Sequence, residues 1–418
     1  MTWLSRLDRA AGGLALDAGL YAVSAAFALL TAITSTLLPH RAWGAVAFWG
    51  YLIALIVVSL GLLLRRPAAR AAQTWAVWAL VTALPLVIQA VQRAAGHAGR
   101  AQEEVLVVEQ MGERLAGTGT PYLGADAIRA LPPGERLLAY HPYQPGMAVF
   151  GLPRAWFGDL WWTDARIWFA VVTVAAVGGA AALLGRNVAA PRPVADPVRG
   201  VQVVTVLPIC ALTLATGGDD LPVVALCVLA LALSARGWFA ACGVAVGAAA
   251  ALKLFALPMV VVLAVHAVVT GQGRRYLPWA LGLPVAVLIP ALLVDADAVL
   301  ENVIRFPLGH GVVTSPAQSP FPGYLIATGL PGGRYVAAGL LVAAGAVVAA
   351  MLVRRPPRTA ASAARYAGLG LLAAILLMPT TRFGYLLYPA VLLVWAGALT
   401  PRVTDTITPR DDPAVYRL

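Results

Sequence analysis

A few ionisable residues stand out by where they fall in an otherwise apolar chain. Glu103 and Glu104 open the run EEVLVVEQMGERLAGT, inside a polar interval from Arg93 to Arg166 that holds five of the six glutamates. The periodicity predicts a surface helix over 101–117. At about 100° per residue, Glu104 falls in the middle of the stripe formed by Val108, Met111 and Leu115. Glu103 lies at its edge beside Gln110 and Arg114, and Gln102, Glu109 and Glu113 are opposite. A carboxylate on the buried face of a membrane-surface helix needs a partner or a task. A helix N-terminus also favours it, and such a group can take a proton from a hydroxyl as general base. Lys253 is the only lysine and interrupts an apolar run. It can hold a phosphate, or snorkel to the outer interface from a short half-helix. Arg382, in TRFGY, offers a bidentate phosphate contact. Arg305, His310 and Arg334 read as solvated or headgroup-facing cations. The segment YHPYQPG, with Tyr140, His141 and Tyr143, is a stiff aromatic surface suited to a sugar ring or lipid headgroup, or an interfacial turn with belt tyrosines.

Other constellations carry less. Asp295 and Asp297 form a D-x-D that could hold a metal and a nucleotide diphosphate, but VDADAVLENVIRF reads as a helix start with favourable acids. Asp219 and Asp220 sit in the turn GGDDLP. His97 and His266 show no ligand spacing, and Cys210, Cys227 and Cys242 lie within apolar runs as small buried hydrophobes. No H-E-x-x-H, G-x-S-x-G or P-loop pattern occurs, which removes the common metalloprotease, hydrolase and nucleotide-driven readings.

The elements that must position these residues are membrane helices. Hydrophobic residues make up 60% of the chain, charged ones 12%, and the mean hydropathy is +0.80. A soluble domain carries about 25% charged residues. The net charge of +11 comes from arginines clustered in short loops, which set topology and speak against nucleic-acid binding. Apolar runs at 14–38, 43–64, 74–92, 166–185, 201–216, 221–235, 276–294, 335–353, 362–378 and 384–400 read as spans. The first is too long for a signal-peptide core and is read as retained. Trp238 to Thr270 is too long for one span and reads as two half-helices broken at 253–258, giving about 11–12 transmembrane helices in an all-α polytopic membrane protein.

Arginines in the N-terminus (Arg6, Arg9), 65–70, 185–200, 235–237, 271–275, 354–358 and the tail all fall on one side, read as cytoplasmic. The chain then divides into N-terminal transmembrane helices (1–92), an outer-face loop with a surface helix (93–165) and a transmembrane core with the broken helix (166–294). An outer-face substrate loop (295–334), C-terminal transmembrane helices (335–400) and a cytoplasmic tail (401–418) follow. Trp43, Trp49, Trp161, Trp162 and Trp168 are placed as interfacial belts.

The ordered motifs resemble the polyprenol-phosphate-mannose-dependent mannosyltransferases of the GT-C superfamily, integral membrane glycosyltransferases of actinobacteria. Members carry an acid at the start of a surface helix in the first large outer loop, then G-x-x-P-Y and a tyrosine-proline segment. Glu103 or Glu104, GTGTPY at 117–122 and YHPYQPGMAVFGLP at 140–153 look like these. GGDDLPVVALCVLALALSARGWFAACGVAVGAAAALKLFALP at 217–258 is similar to a second block, and SPAQSPFPGYL at 315–325 and PTTRFGYLLYP at 379–389 match less specifically. Two features depart from the family pattern: its catalytic acid is usually aspartate, and two helices here precede the span leading into the catalytic loop where one is usual.

The resemblance implies a GT-C-type bundle whose outer-face loop carries amphipathic surface helices. It implies transfer of a sugar, expected to be mannose, from a polyprenyl-phosphate donor to a lipid-linked or cell-envelope glycan acceptor. Transfer would occur at the outer face of a bacterial plasma membrane, with both termini cytoplasmic. The donor would enter laterally and the anomeric centre would invert, with no metal and no cofactor beyond the lipid-linked sugar as co-substrate. Glu104 or Glu103 would be the base, and Tyr122, Tyr140, His141, Tyr143, Asp219, Lys253, Gln318, Arg382 and Tyr385 would contact substrate. Three other readings remain at this point: a transporter or flippase of a phosphate-bearing envelope lipid, a relative transferring arabinofuranose, and a GT-C relative that only binds.

Overall fold

The computed structural model describes residues 10–64, 69–185 and 197–400. The expectations for Arg6 and Arg9, for 65–68, for 186–196 and for the tail at 401–418 lie outside the described residues. Among the described residues every regular element is a helix. Seven are long and apolar enough to cross a membrane: α1 (Leu14–Thr34), α2 (Leu38–Leu63), α3 (Arg70–Ala94), α5 (Ala165–Gly185), α11 (Gly273–Arg305), α12 (Gly333–Arg354) and α13 (Ala360–Leu377). Between α3 and α5 lies the surface helix α4 (Glu103–Thr118), close to the expected 101–117. The segment expected as one span over 201–216 is two helices, α6 (Pro197–Thr205) and α7 (Pro208–Thr216), bent by 44°. Pro208 has no N–H to continue the ladder. Four shorter apolar helices are α8 (Asp220–Ala235), α9 (Phe239–Leu252), α10 (Leu254–Val269) and α14 (Phe383–Ala398). Counting the bent pair and each short helix as crossings reproduces the twelve expected segments in order. The chain is a multi-pass membrane protein.

Sequence character decides which helices lie inside. α8, DLPVVALCVLALALSA, is apolar on every side, and thirteen of its residues are buried. It packs against both α5 and α9. α12 is equally apolar but buries only Gly333, Ala337 and Leu352, exposing Val342 and Val353; this is a face for lipid, since no water-soluble surface carries such a band. Trp43, placed above as a belt residue, is instead fully buried. Its indole N–H donates to the Val81 carbonyl at 2.8 Å. An acid inside α1, Asp17, is 1% exposed and is held by Arg70 at 2.8 Å, by Arg199 and by the Gln202 amide at 3.0 Å. Three elements therefore meet on one carboxylate.

Close backbone approaches fix the helices that carry the polar residues. Gly243 and Gly247, one turn apart in α9, face α11 so tightly that a Cβ on either would lie 2.5 Å from the Tyr276 or the Trp279 carbonyl oxygen. Small residues at this spacing let helices pack without a hydrophobic drive, which lipid removes. Gly112 of α4 and Gly151 press backbone to backbone in the same way, seating the surface helix on the 145–157 segment. Overpacking a tight contact costs about 1–3 kcal/mol. Gly247→Val is accordingly expected to lower the melting temperature of the detergent-solubilised protein by several degrees. Gly282→Val, on the open side of α11 where nothing approaches within 4 Å, should leave it nearly unchanged; equal melting of the two variants would contradict this packing.

Candidate active site

The surface helix is clamped by buried charge. Arg93, in the last turn of α3, makes two bonds to Glu109 at 2.7 and 2.5 Å and one to Asp164 at 3.0 Å. Arg154 reaches Glu109 at 3.3 Å, and the Ala165 N–H donates to it at 3.2 Å. Arg166 is fully buried, with Nε and Nη2 each 2.8 Å from Asp164 and Nη1 donating to the carbonyls of Arg100 and Ala215. Although burial pushes the Asp164 carboxyl up, the Arg166 and Arg93 guanidiniums hold it well below the usual carboxylate range. Glu109 thus departs from the helical-wheel expectation: it is 3% exposed, because two arginines from neighbouring elements enclose it. The clamp fixes the orientation of α4 and hence of its first turn.

That first turn presents Glu104, half-buried, to the Arg382 guanidinium, which pairs with Oε1. Glu103 is exposed, at the edge of a cavity that Glu104 also lines. Arg382 comes from the turn between α13 and α14, which residues 317–319, in the segment between α11 and α12, hold in place; the expected 295–334 loop is helical up to Arg305 and again over Pro322–Gly329. The Thr381 N–H donates to Ala317 O at 3.0 Å, the Ser319 N–H donates to Thr381 O at 2.9 Å, and Gln318 and Thr381 form a β-bridge. Glu104 on α4 and Arg382, 278 positions away, therefore meet by backbone-directed placement.

The second half of the site sits at the break between α9 and α10. Lys253 is extended, φ −154° and ψ 139°, as the interruption at KLFALP predicts. Its Nζ is 2.7 Å from Asp219 and 2.6 Å from Asp220, at the start of α8, and the Tyr388 hydroxyl donates to Asp220 at 2.6 Å. The ammonium lies 5.1 Å from the centre of the Tyr143 ring and 5.5 Å from that of Tyr385. Lys253 neither snorkels nor stands alone: two carboxylates already compensate its charge, and one of its three donors is left over.

A cavity of about 700 Å³ joins the two halves. Glu103, Glu104, Tyr140, Tyr143, Asp219, Lys253, Arg382 and Tyr385, all singled out from the sequence, line it, together with Asp220. Tyr122, His141 and Gln318 do not. Tyr122 is buried and donates to the Tyr143 carbonyl at 2.7 Å; Gln318 is exposed, its amide 3.3 Å from the Ser315 carbonyl. His141 is wholly buried, with Nδ1 2.5 Å from the Pro121 carbonyl and its N–H on Asn302. These three hold the walls. Tyr140 lines the cavity and also braces it: its hydroxyl donates to Glu301 at 2.6 Å, accepts from the Val312 N–H at 2.6 Å, and its ring stacks on Phe306 at 4.0 Å. Burial, aided by the Glu301 carboxylate, pushes its phenol up to about 12. Burial and the carboxylates of Asp219 and Glu104 push Tyr143 well above its ordinary value too, so both stay neutral donors. Asp295 caps a helix as expected, accepting from the Ala298 N–H at 2.9 Å.

The model of glycosyltransferase family 87 matches residues 140–379, more than half of the chain. The chain belongs to glycosyltransferase family 87. Among solved structures it is similar to ArnT from Cupriavidus metallidurans in the apo state, with TM-score 0.45 and 17% identity over 78% of this chain and 59% of that one. It is also similar to the same protein bound to undecaprenyl phosphate, with TM-score 0.46 and 16% identity over 77% and 60%. The chain thus spans about three-fifths of the length of these structures. No curated protein matches it. The family 87 segment takes in Tyr140, Tyr143, Asp219, Asp220 and Lys253, and leaves out Glu104 before it and Arg382 and Tyr385 after it. Among the cavity groups not named for the site from sequence are Phe27, His40 and Gln102. Phe27 and His40 lie in or at the ends of apolar runs, where only their arrival at the cavity distinguishes them. Tyr388 was missed as well, although it falls one helical turn after Tyr385.

His141 gives this region a pH signature. Burial lowers its pKa from about 6.5 to about 4. The unfolded chain binds a proton between these values and the folded chain does not, so the contribution is complete above pH 6.5 and is lost as pH falls toward 4. The loss is on the order of 3 kcal/mol. Melting temperatures in detergent should therefore fall more steeply from pH 6.5 to 4 for the native chain than for His141→Asn, and parallel curves would remove His141 as the cause.

Proposed function

We propose that the chain is an inverting, GT-C-type glycosyltransferase. In this reading it moves mannose from a polyprenyl-phosphate donor to a lipid-linked or cell-envelope glycan acceptor at the outer face of a bacterial plasma membrane, with both termini cytoplasmic. The observation that carries the reading is the pairing of Glu104 with Arg382 in one cavity with Lys253, Asp219 and Asp220. A transfer of this kind needs a carboxylate facing the attacking hydroxyl and a cationic group facing the departing phosphate across the anomeric carbon.

The donor enters laterally from the bilayer, and its phosphate takes the place of Glu104 on Arg382, whose planar donors fit two phosphate oxygens. The freed Glu104 accepts the proton of the acceptor hydroxyl. The hydroxyl oxygen attacks the anomeric carbon from the face opposite the phosphate, the bond from that carbon to the phosphate oxygen breaks, and its electron pair leaves on the polyprenyl phosphate. No metal or cofactor enters the step. Asp219, Asp220 and Lys253 supply acceptors and one free donor between the Tyr143 and Tyr385 rings, a setting for the hydroxyls and the apolar face of a sugar. Membership of family 87 favours transfer over lipid transport.

Glu104→Gln is expected to lower transfer from polyprenyl-phosphate mannose by about 10²–10⁴-fold, the range for loss of a general base. Glu103→Gln, which alters an exposed group, should stay within a few fold. Release of polyprenyl phosphate by the purified protein separates transfer from flipping. Full activity in Glu104→Gln, Glu103→Gln and their double would sink the base assignment.

A further inference from the structure

The N-terminal hairpin of α1 and α2 lies outside the family 87 segment, yet it reaches the cavity. Phe27 of α1 and His40, in the first turn of α2, both line it. His40 is half-buried, with its ring beside Gln102 and Glu104. Gln102 is fixed in turn: its side-chain carbonyl accepts from the Thr216 hydroxyl at 2.8 Å, and its backbone N–H donates to the Thr216 carbonyl at 2.8 Å. The imidazole therefore borders the cavity from the first turn of a helix, beside a tethered neighbour.

Glu104 is flanked by groups from the two ends of the chain. Arg382 occupies Oε1, and a phosphate-bearing donor is drawn to that guanidinium. The hydroxyl that gives its proton to Glu104 then has the His40 and Gln102 wall as its polar neighbour. A neutral imidazole offers one donor and one acceptor, which matches a second hydroxyl on the same substrate. Phe27, 41% exposed, Ile209 and Leu212 add apolar surface to the same cavity.

We propose that His40 is an acceptor-binding residue: it holds the hydroxyl-bearing headgroup of a lipid-linked acceptor against Glu104, and the α1–α2 hairpin is the element that selects this substrate. The proposal rests on Glu104 as the base. It assigns to the two helices ahead of the catalytic loop a task in acceptor recognition, separate from donor binding at Arg382.

The test begins with a deletion strain, in which mass spectrometry identifies the missing envelope glycolipid and the precursor that accumulates. That precursor is the acceptor probe, with polyprenyl-phosphate mannose as donor. His40→Ala should raise KM for the precursor by about tenfold or more, leave KM for the donor within about twofold, and leave the melting temperature unchanged; a buried hydrogen bond lost to substrate is worth this much. His40→Gln, which keeps a donor and an acceptor, should recover most of the affinity. Should His40→Ala melt early, His40→Leu against His40→Gln carries the same comparison. An unchanged acceptor KM, an equal rise in donor KM, or a Gln variant no better than Ala or Leu overturns the proposal. If no glycolipid is missing in the deletion strain, the glycosyl-transfer reading fails first and this proposal falls with it.

Discussion

Lys253 and its two aspartates set the terms for the rest of the molecule. Three charged groups inside an apolar bundle are tolerable only when paired and hydrogen-bonded, because an isolated ion there costs several kcal/mol or more. Bringing the ammonium to Asp219 and Asp220 requires the chain to leave helical geometry at Lys253 and to start α8 at Asp220. The short length of α8, α9 and α10 follows from that meeting point. So does the gathering of Tyr143, Tyr385 and Tyr388, the groups that cover an ion pair with ring faces and a hydroxyl. Removing one partner would leave the others uncompensated, which binds the geometry of the cavity floor to the stability of the core.

The same device recurs at the surface and at the other end of the bundle. Glu109 and Asp164 anchor α4 through Arg93, Arg154 and Arg166, and Asp17 joins α1 to Arg70 and Arg199. Between helices that gain little from hydrophobic contact in lipid, packed small residues and satisfied polar clusters carry specificity. Each cluster here ties together segments far apart in sequence. The fold is thus stitched at a few buried carboxylates, and the surfaces between them are left apolar for the bilayer.

Much of this was legible in the residues, and the limits have physical causes. Span positions, the surface helix and the break at Lys253 follow from periodicity and from single polar interruptions, which are local signals. Glu104, Asp219, Lys253, Arg382 and three tyrosines named from the motifs line one cavity. What the sequence left hidden were partners. Nothing local tells that Lys253 faces two aspartates, that Glu109 turns inward, or that Trp43 finds the Val81 carbonyl. His141 and Tyr122 look like ligand-facing groups by type, but their polar atoms are directed to Pro121 and Tyr143 backbone. Such choices depend on which segments are neighbours in space, and a single chain without its fold does not contain that information in readable form.

The single β-bridge between Gln318 and Thr381, with its two flanking backbone hydrogen bonds, joins two stretches far apart in sequence. One belongs to the rim of the cavity, the other carries the guanidinium. Any displacement of the rim would therefore carry Arg382 with it and strain its contact to Glu104. The width of the cavity mouth and the pairing of the two charges are in this way mechanically linked.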